Sequence, residues 1–81
     1  MKILFFGKLA ECAGREIDFD LEPEGCTVGE LRARLAQALP PAAHELARPS
    51  NRACVDQELA REDTHILPEQ EVAFIPPLSG G

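Results

Sequence analysis

The 81-residue sequence is poor in several residue types that carry function in other proteins. It has no tryptophan or tyrosine, and its eight lysines and arginines face fourteen aspartates and glutamates, which gives a formal net charge of −6. Nucleic-acid binding needs clustered lysine and arginine to neutralise phosphates, so this composition argues against a nucleic-acid partner. The acidic balance instead favours steering toward a basic patch on another protein.

Long apolar runs and paired cysteines are also missing. No stretch approaches the ~20 apolar residues of a membrane-spanning helix, so we expect no membrane partner. Cys12, Cys26 and Cys54 are odd in number and form no C-x-x-C pair, which argues against a disulfide framework or a zinc ribbon. Reduced thiols in a cytosol are the simpler account, and we predict a cytoplasmic protein.

The motifs of autonomous catalysis are absent as well. The sequence has no phosphate-binding G-x-x-x-x-G-K-[ST] loop, no H-E-x-x-H and no G-x-S-x-G. His44 and His65 have no carboxylate or cysteine at ligand spacing, so we predict surface histidines and no metal site. A nucleophilic Cys12 would need a base and an orienting group that the sequence does not evidently supply. We therefore expect no catalysis by this chain alone.

The most informative residues of the sequence lie at its C-terminal end. Gly80-Gly81 follows an apolar run and the pair Pro76-Pro77. Proline fixes φ and removes a backbone donor, so the pair should end a strand and hold the chain extended. We predict a domain over residues 1–76 and an extended, flexible tail over 77–81, which spans ~15–18 Å when extended. Such a thread could enter a narrow active site on another protein; the alternative is a frayed terminus without a role.

The chemistry of that tail follows from the group at its tip. An α-carboxylate at Gly81 is anionic at neutral pH and can attack an activated phosphate, but it cannot be acylated or exchanged without activation. Because the chain has no ATP-binding loop of its own, activation must come from a partner. The chain is therefore predicted to be a substrate or carrier.

Alternation and turn residues predict a sheet of four or five strands. The predicted strands are Lys2–Phe6, Glu16–Glu22, Arg52–Val55, Glu58–Ala60 and Glu71–Ile75. Segments 7–14 and 62–64 are predicted to be loops. A second, short helix is possible over 42–47, with Pro41 as its first residue.

One main helix is predicted after the second strand. Thr27 and Glu30 match a capping box, and Pro40-Pro41 ends the helix at Leu39. Cys26 precedes the cap, where an apolar side chain packs onto the helix, so we assign this thiol a packing role.

A single helix of about three turns covers only one face of such a sheet, so an apolar patch should remain exposed. Alternation places Phe5 and Phe74 in the core. It places Phe6, Leu59 and Ile75 on the uncovered face, which we predict to be a docking surface. The opposite assignment of the two faces is the alternative.

Four segments resemble the small, sulfur-carrying subunit of molybdopterin synthase, a ubiquitin-like sulfur carrier family. They are Lys2–Gly7, Gly25–Leu31, Ala53–Gln57 and Glu71–Gly81. The resemblance spans the whole chain, and the last segment is the specific one. It implies an α+β, β-grasp (ubiquitin-like) fold with a mixed sheet of four to five strands and one main helix packed on one face.

The resemblance also implies a reaction cycle. A partner enzyme uses ATP to adenylate the Gly81 carboxylate, and sulfur then replaces oxygen to give a thiocarboxylate. The tail enters the large synthase subunit, in a heterotetramer of two small and two large subunits, and donates sulfur to cyclic pyranopterin monophosphate to form the molybdopterin dithiolene. No cofactor is bound by the chain itself. The threading residues would be Pro76, Pro77, Leu78, Ser79 and Gly80.

Two other classes share the fold and the Gly-Gly end. One is a sulfur carrier of the thiazole pathway, which is usually shorter and lacks this Pro-Pro-Leu-Ser approach. The other is a ubiquitin-like protein tag, which joins its C-terminus to lysine amines. A stand-alone cysteine enzyme is the third alternative.

Overall fold

The centre of the fold, in a computed structural model that describes residues 1–77, is a mixed five-stranded β-sheet. The strands in chain order are β1 (Lys2–Phe5), β2 (Glu16–Asp18), β3 (Cys26–Thr27), β4 (Arg52–Val55), β5 (Glu58–Ala60), β6 (His65–Ile66) and β7 (Val72–Ile75). The large sheet has the spatial order β2-β1-β7-β4-β5, and β3 pairs with β6 in a separate two-stranded sheet. The first strand, β1, lies parallel to the last, β7, while the other neighbours in the large sheet are antiparallel.

The helices are α1 (Lys8–Ala13), α2 (Val28–Ala38) and α3 (Ala43–Leu46), with a 3₁₀ turn (Pro40–Ala42) before α3. The predicted capping box at the start of α2 is confirmed. The Thr27 hydroxyl accepts from Glu30 N at 3.1 Å, and Glu30 Oε1 accepts from Thr27 N at 2.8 Å. The helix ends at Ala38 with Leu39 as its C-cap, because Pro40 follows and excludes the helical conformation at Leu39.

One face of the sheet packs against α2. We call it the covered face; it carries Ile3, Phe5, Ala53, Val55, Val72 and Phe74, all of them buried. Leu31 and Leu35 of α2 are fully buried in the same core. Cys26 is also buried there, as expected for a packing thiol. The strand order and the helix across one face confirm the predicted β-grasp fold.

The segment predicted as a loop between the first two strands is wrong, because it contains α1. Gly7 and Gly14 both have positive φ, 65° and 91°, and they bracket six residues of adequate helix propensity. Leu9 is fully buried, so this short helix is stabilised by packing. The two glycines end the helix at both sides and look like loop residues in the sequence.

Other details also differ from the prediction. The first strand ends at Phe5, one residue early, and the last begins at Val72, one residue late. The second strand ends at Asp18, because β1 begins at Lys2 and offers no further ladder beyond the bond from Phe19 N to Met1 O. The short second helix begins as a 3₁₀ turn at Pro40 and becomes helical only at Ala43. The small sheet of β3 and β6 was not predicted, since two-residue strands show no alternation.

Candidate functional site

The face of the sheet opposite α2, which we call the open face, carries an apolar patch. Register pairs Leu4 with Ala73, Ala73 with Cys54 and Cys54 with Leu59, which makes one row across four strands. Side chains of paired residues project from the same face, so this row lies on one surface. Leu59 is 59% exposed, and Leu4, Cys54 and Ala73 are half-buried.

A second row lies nearer the end of β7. Phe6 follows β1 and donates its backbone N–H to Phe74 O at 3.2 Å, which places it beside Ile75, and Ile75 pairs with Arg52. Phe6 is 47% exposed and Ile75 is half-buried. The structure therefore places all three predicted docking residues, Phe6, Leu59 and Ile75, on the open face. Their docking role stays a prediction.

The open face also contains residues that the prediction left out of the docking set. The alternation of the first and last strands already predicts that Leu4 and Ala73 lie on the open face. The position of Cys54 on that face is seen only from the pairing register of β4. The resulting patch is flanked by charge: Arg52 lies across from Ile75, and Glu16 lies across from Leu4. Contiguous exposed apolar surface of this kind marks a partner site more often than chance.

Pro76 and Pro77 directly follow β7, and we call this pair the tail root. Both prolines are exposed. Gly7 lies against the tail root: a Cβ added at Gly7 would stand 3.1 Å from Pro76 Cγ, and its φ of 65° already favours glycine. The end of β1 and the start of the tail are therefore in close contact. The predicted tail residues Leu78, Ser79, Gly80 and Gly81 lie outside the described residues.

Beneath the tail root, the last strand is held from the covered face. Phe74 stacks on Phe5 with ring centroids 6.0 Å apart and an interplanar angle of 15°. The Arg32 guanidinium also lies over the Phe74 ring, with its Cζ 5.2 Å from the ring centroid. The strand that leads into the tail is thus fixed by an aromatic pair and a cation.

Arg32 is buried and connects three parts of the chain. It makes a two-point ion pair with Glu62, from Nη2 at 2.8 Å and from Nε at 3.0 Å. It also donates to Leu46 O at 2.7 Å and to Asn51 O at 2.9 Å. The sequence analysis missed this residue. The available signal was its position, four residues after Val28, at the border of the apolar face of α2.

The titratable groups near the cap support structural roles. Hydrogen bonding from the Thr27 backbone lowers the pKa of Glu30, and the Arg34 side chain lowers the pKa of Glu22. Burial raises the pKa of the Cys26 thiol, which disfavours the thiolate needed for nucleophilic chemistry. The packing role predicted for Cys26 fits this environment.

Both histidines are exposed, and His65 Nε2 lies 2.7 Å from Glu24 O. Over residues 1–77, no group of three or more His, Cys, Asp and Glu side chains is arranged to hold a metal ion. Within the same range, none of the helices has the length and apolar character to cross a membrane.

Sheet topology, helix position and the proline pair after the last strand define a ubiquitin-like β-grasp protein. The sequence model of the ThiS family matches residues 3–81, and the chain belongs to this family of ubiquitin-like sulfur carriers and modifiers. No curated protein matches the sequence significantly.

Solved structures agree on the fold. The chain is similar to SAMP1 from Haloferax volcanii, with a TM-score of 0.82, 26% identity and coverage of 99% of this chain and 97% of that one. It is also similar to a putative molybdopterin converting factor, subunit 1, from Pyrococcus furiosus, with a TM-score of 0.76, 18% identity and 95% coverage of both chains. At that identity, the second likeness shows the fold alone.

Proposed function

We propose that this chain is the sulfur-carrying small subunit of molybdopterin synthase. The observation that carries the proposal is the geometry of the last strand: β7 ends at half-buried Ile75, beside exposed Phe6, and leads directly into exposed Pro76-Pro77. A partner bound to the open face would thereby determine where the following residues, Leu78 to Gly81, enter its active site. The choice within the family rests on the resemblance of the segment Glu71–Gly81, with its Pro-Pro-Leu-Ser approach, to the end of that subunit.

In the proposed cycle, the Gly81 carboxylate attacks the α-phosphorus of ATP on an activating enzyme and releases pyrophosphate. A persulfide sulfur then attacks the Gly81 carbonyl and displaces AMP to give an acyl disulfide, and a thiol breaks its S–S bond to leave a thiocarboxylate on Gly81. This terminus enters the large synthase subunit, in a heterotetramer of two small and two large subunits, and donates its sulfur to cyclic pyranopterin monophosphate. Two transfers complete the dithiolene of molybdopterin. The chain binds no cofactor itself and works in the cytoplasm.

A second candidate function is protein modification. The likeness to SAMP1, whose fuller description is small archaeal modifier protein 1, favours it. In that role the activated Gly81 carbonyl would be attacked by a lysine amine and form an isopeptide bond. Both functions share the adenylation step and differ in the nucleophile that follows.

Intact mass spectrometry separates these functions. The chain, ending at Gly81, is incubated with ATP, the family's adenylating enzyme from the same genome, a persulfide donor, a thiol reductant and the large subunit. A mass gain of one sulfur less one oxygen, followed by molybdopterin synthesis from cyclic pyranopterin monophosphate, supports the sulfur carrier. A gain on other proteins equal to the chain less one water supports the modifier.

The matched control carries one alanine after Gly81. It should fold like the original chain, because the added residue lies beyond the core, and it should support neither reaction. Molybdopterin synthesis by this extended chain would contradict the assignment of Gly81 as the reactive group.

A further inference from the structure

The tail root lies in a positively charged environment although the whole chain carries a net charge of −6. Lys8 and Arg48 line a groove of about 210 Å³ together with Pro76 and Pro77. Lys8 is the first residue of α1, and Arg48 follows α3. Two cations on the helix side of the molecule therefore flank the first two residues of the tail.

Two more cations lie at the same end of the sheet. Arg52, the first residue of β4, pairs with Ile75, the last residue of β7, and is exposed on the open face. Arg15 accepts a backbone hydrogen bond from Phe5 N at 2.9 Å, which places it beside the end of β1. We call Lys8, Arg15, Arg48 and Arg52 the tail-root cations.

The opposite end of the sheet is acidic. Asp18 pairs with Lys2 at the start of β1, and Asp56 accepts from Glu71 N at 2.9 Å before the start of β7. Glu58 pairs with Val55 at the end of β4. Strand direction thus places Asp18, Asp56 and Glu58 at the end away from the tail, whereas the carboxylate that lines the groove at the tail root is Glu45. Net charge alone conceals this polarity.

Few carboxylates neutralise the tail-root cations from within the chain. Arg48 contacts Glu45 at 3.4 Å in the same groove. Among the residues that the structure describes, Lys8, Arg15 and Arg52 form no ion pair within 4.0 Å. Exposed cations without an internal counter-ion are free to interact with an external anionic group.

We propose that the tail-root cations receive an acidic polypeptide segment of the partner, which forms the rim of the entrance that accepts the tail. This inference rests on the proposed function, because it assumes a partner that admits Gly81. The charge separation would orient the domain with its tail forward as the two proteins approach. Such complementarity acts mainly on the association rate and is weakened by salt.

A polypeptide fits this surface better than a small phosphate ligand. Lys8 and Arg48 lie on the helix side of the tail root while Arg52 lies on the open face, so these side chains do not converge on one small anion. Glu45 also lines the groove and would oppose a phosphate placed there. The ATP that reacts with Gly81 would also lie far from the tail-root cations, since the four residues after Pro77 span up to ~13–14 Å.

The first test uses the isolated chain and a synthetic peptide of ten glutamates as the probe. Backbone amide shifts of the ¹⁵N-labelled protein are followed during titration with the peptide and, separately, with inorganic pyrophosphate. The proposal expects peptide-induced shifts at Lys8, Arg48, Asn51 and Arg52, absent at Arg34 and abolished by added salt. Shifts caused equally by pyrophosphate, or peptide shifts spread over the whole surface, would overturn it.

The second test measures association with the family's adenylating enzyme from the same genome. Lys8→Gln and Arg52→Gln should each lower the association rate constant about 2- to 5-fold at low ionic strength, with the difference shrinking as salt rises. The matched control is Gln37→Glu, which changes net charge by the same −1 on the exposed side of α2. A control effect as large as the Lys8→Gln effect would mean that net charge, and not the tail root, governs association.

These two tests separate the failure of this inference from the failure of the proposed function. If the original chain is not adenylated, the proposed function fails, and the glutamate-peptide titration still decides whether the tail-root cations bind an acidic polypeptide. If adenylation proceeds and the association rate constants of Lys8→Gln and Arg52→Gln equal that of the original chain, the proposed function stands and the proposed acidic rim is wrong.

Discussion

The two faces of the five-stranded sheet are made from neighbouring residues of the same strands, yet one face forms the core and the other is open to a partner. Phe74 on the covered face is fully buried, and the next residue, Ile75, is half-exposed on the open face. Phe5, the last residue of β1, and Phe6, which follows it, show the same contrast. Both faces are apolar, so the position of α2, and not side-chain chemistry, decides which set stabilises the fold. The strand that carries the tail is anchored from one side and available to a partner from the other.

The largest expected effect tests the covered face. Phe74→Ala removes a ring that is fully buried and stacked on Phe5, so it should lower the free energy of unfolding by about 3–5 kcal/mol. Ile75→Ala, one residue further on, should lower it by about 1 kcal/mol, because that side chain is only partly buried and lies outside the core. Denaturant unfolding followed by circular dichroism measures both. A greater loss for Ile75→Ala would mean that the two faces are inverted.

Arg32 gives the next largest effect, because it is the one charged group buried against Phe74 among the described residues. Arg32→Met keeps the bulk over the ring but leaves the carbonyls of Leu46 and Asn51 without their donor, which should cost about 2–4 kcal/mol.

The control for this prediction is Glu62→Gln. The Glu62 side chain is half-exposed, and the amide keeps one acceptor for Arg32, so the loss should stay below about 1 kcal/mol. Thermal and denaturant unfolding of the two variants give the comparison. Equal losses would show that the ion pair, and not the backbone carbonyls, is the main role of Arg32.

The open face should respond in binding and not in folding. Ile75→Ala should weaken association with the partner by about 2 kcal/mol, the size expected for an apolar anchor at the centre of an interface. Leu67→Ala is the matched control, because Leu67 is also exposed but follows β6, outside the five-stranded sheet. Titration calorimetry with the adenylating enzyme measures both affinities. An equal loss for Leu67→Ala would contradict a docking surface on the open face.

Much of this comparison could be predicted from the sequence. Strict alternation in Lys2–Phe6 and Glu71–Ile75 separated Phe5 and Phe74 from Phe6 and Ile75, because the period of a strand is fixed at two. The start of α2 was visible in Thr27 and Glu30, since a capping box is a local motif. These features depend on residues close together in the chain.

The features that the sequence did not predict depend on contacts between distant residues. The helix α1 is stabilised because Leu9 is buried in the core. Its six residues between two glycines are too few for a helical periodicity to be visible in the sequence. The network around Arg32 joins residues 14 to 30 positions away. The cations at the tail root are brought together only by strand order, so composition predicted an acidic protein that steers toward a basic patch. The tail itself lies beyond the described residues, and its predicted role rests on the motif.

The smallest expected effect concerns the cap that begins α2, the helix that covers one face. The folded-state pKa of Glu30 lies below its ordinary value of 4.5, because the carboxylate accepts from the Thr27 backbone. A lowered pKa contributes stability that is present above about pH 4.5 and is lost as the pH falls through the folded value.

Glu30→Gln keeps an acceptor for Thr27 N but does not titrate, so the stability of this variant should fall less steeply with acid. The difference in free energy of unfolding between the two proteins should therefore shrink from pH 7 to about pH 3. Glu22, whose pKa Arg34 lowers and the Glu30 charge raises, is present in both proteins, so its contribution cancels except for its coupling to Glu30. A difference that stays constant across this range would show that the carboxylate charge at Glu30 adds nothing to the cap.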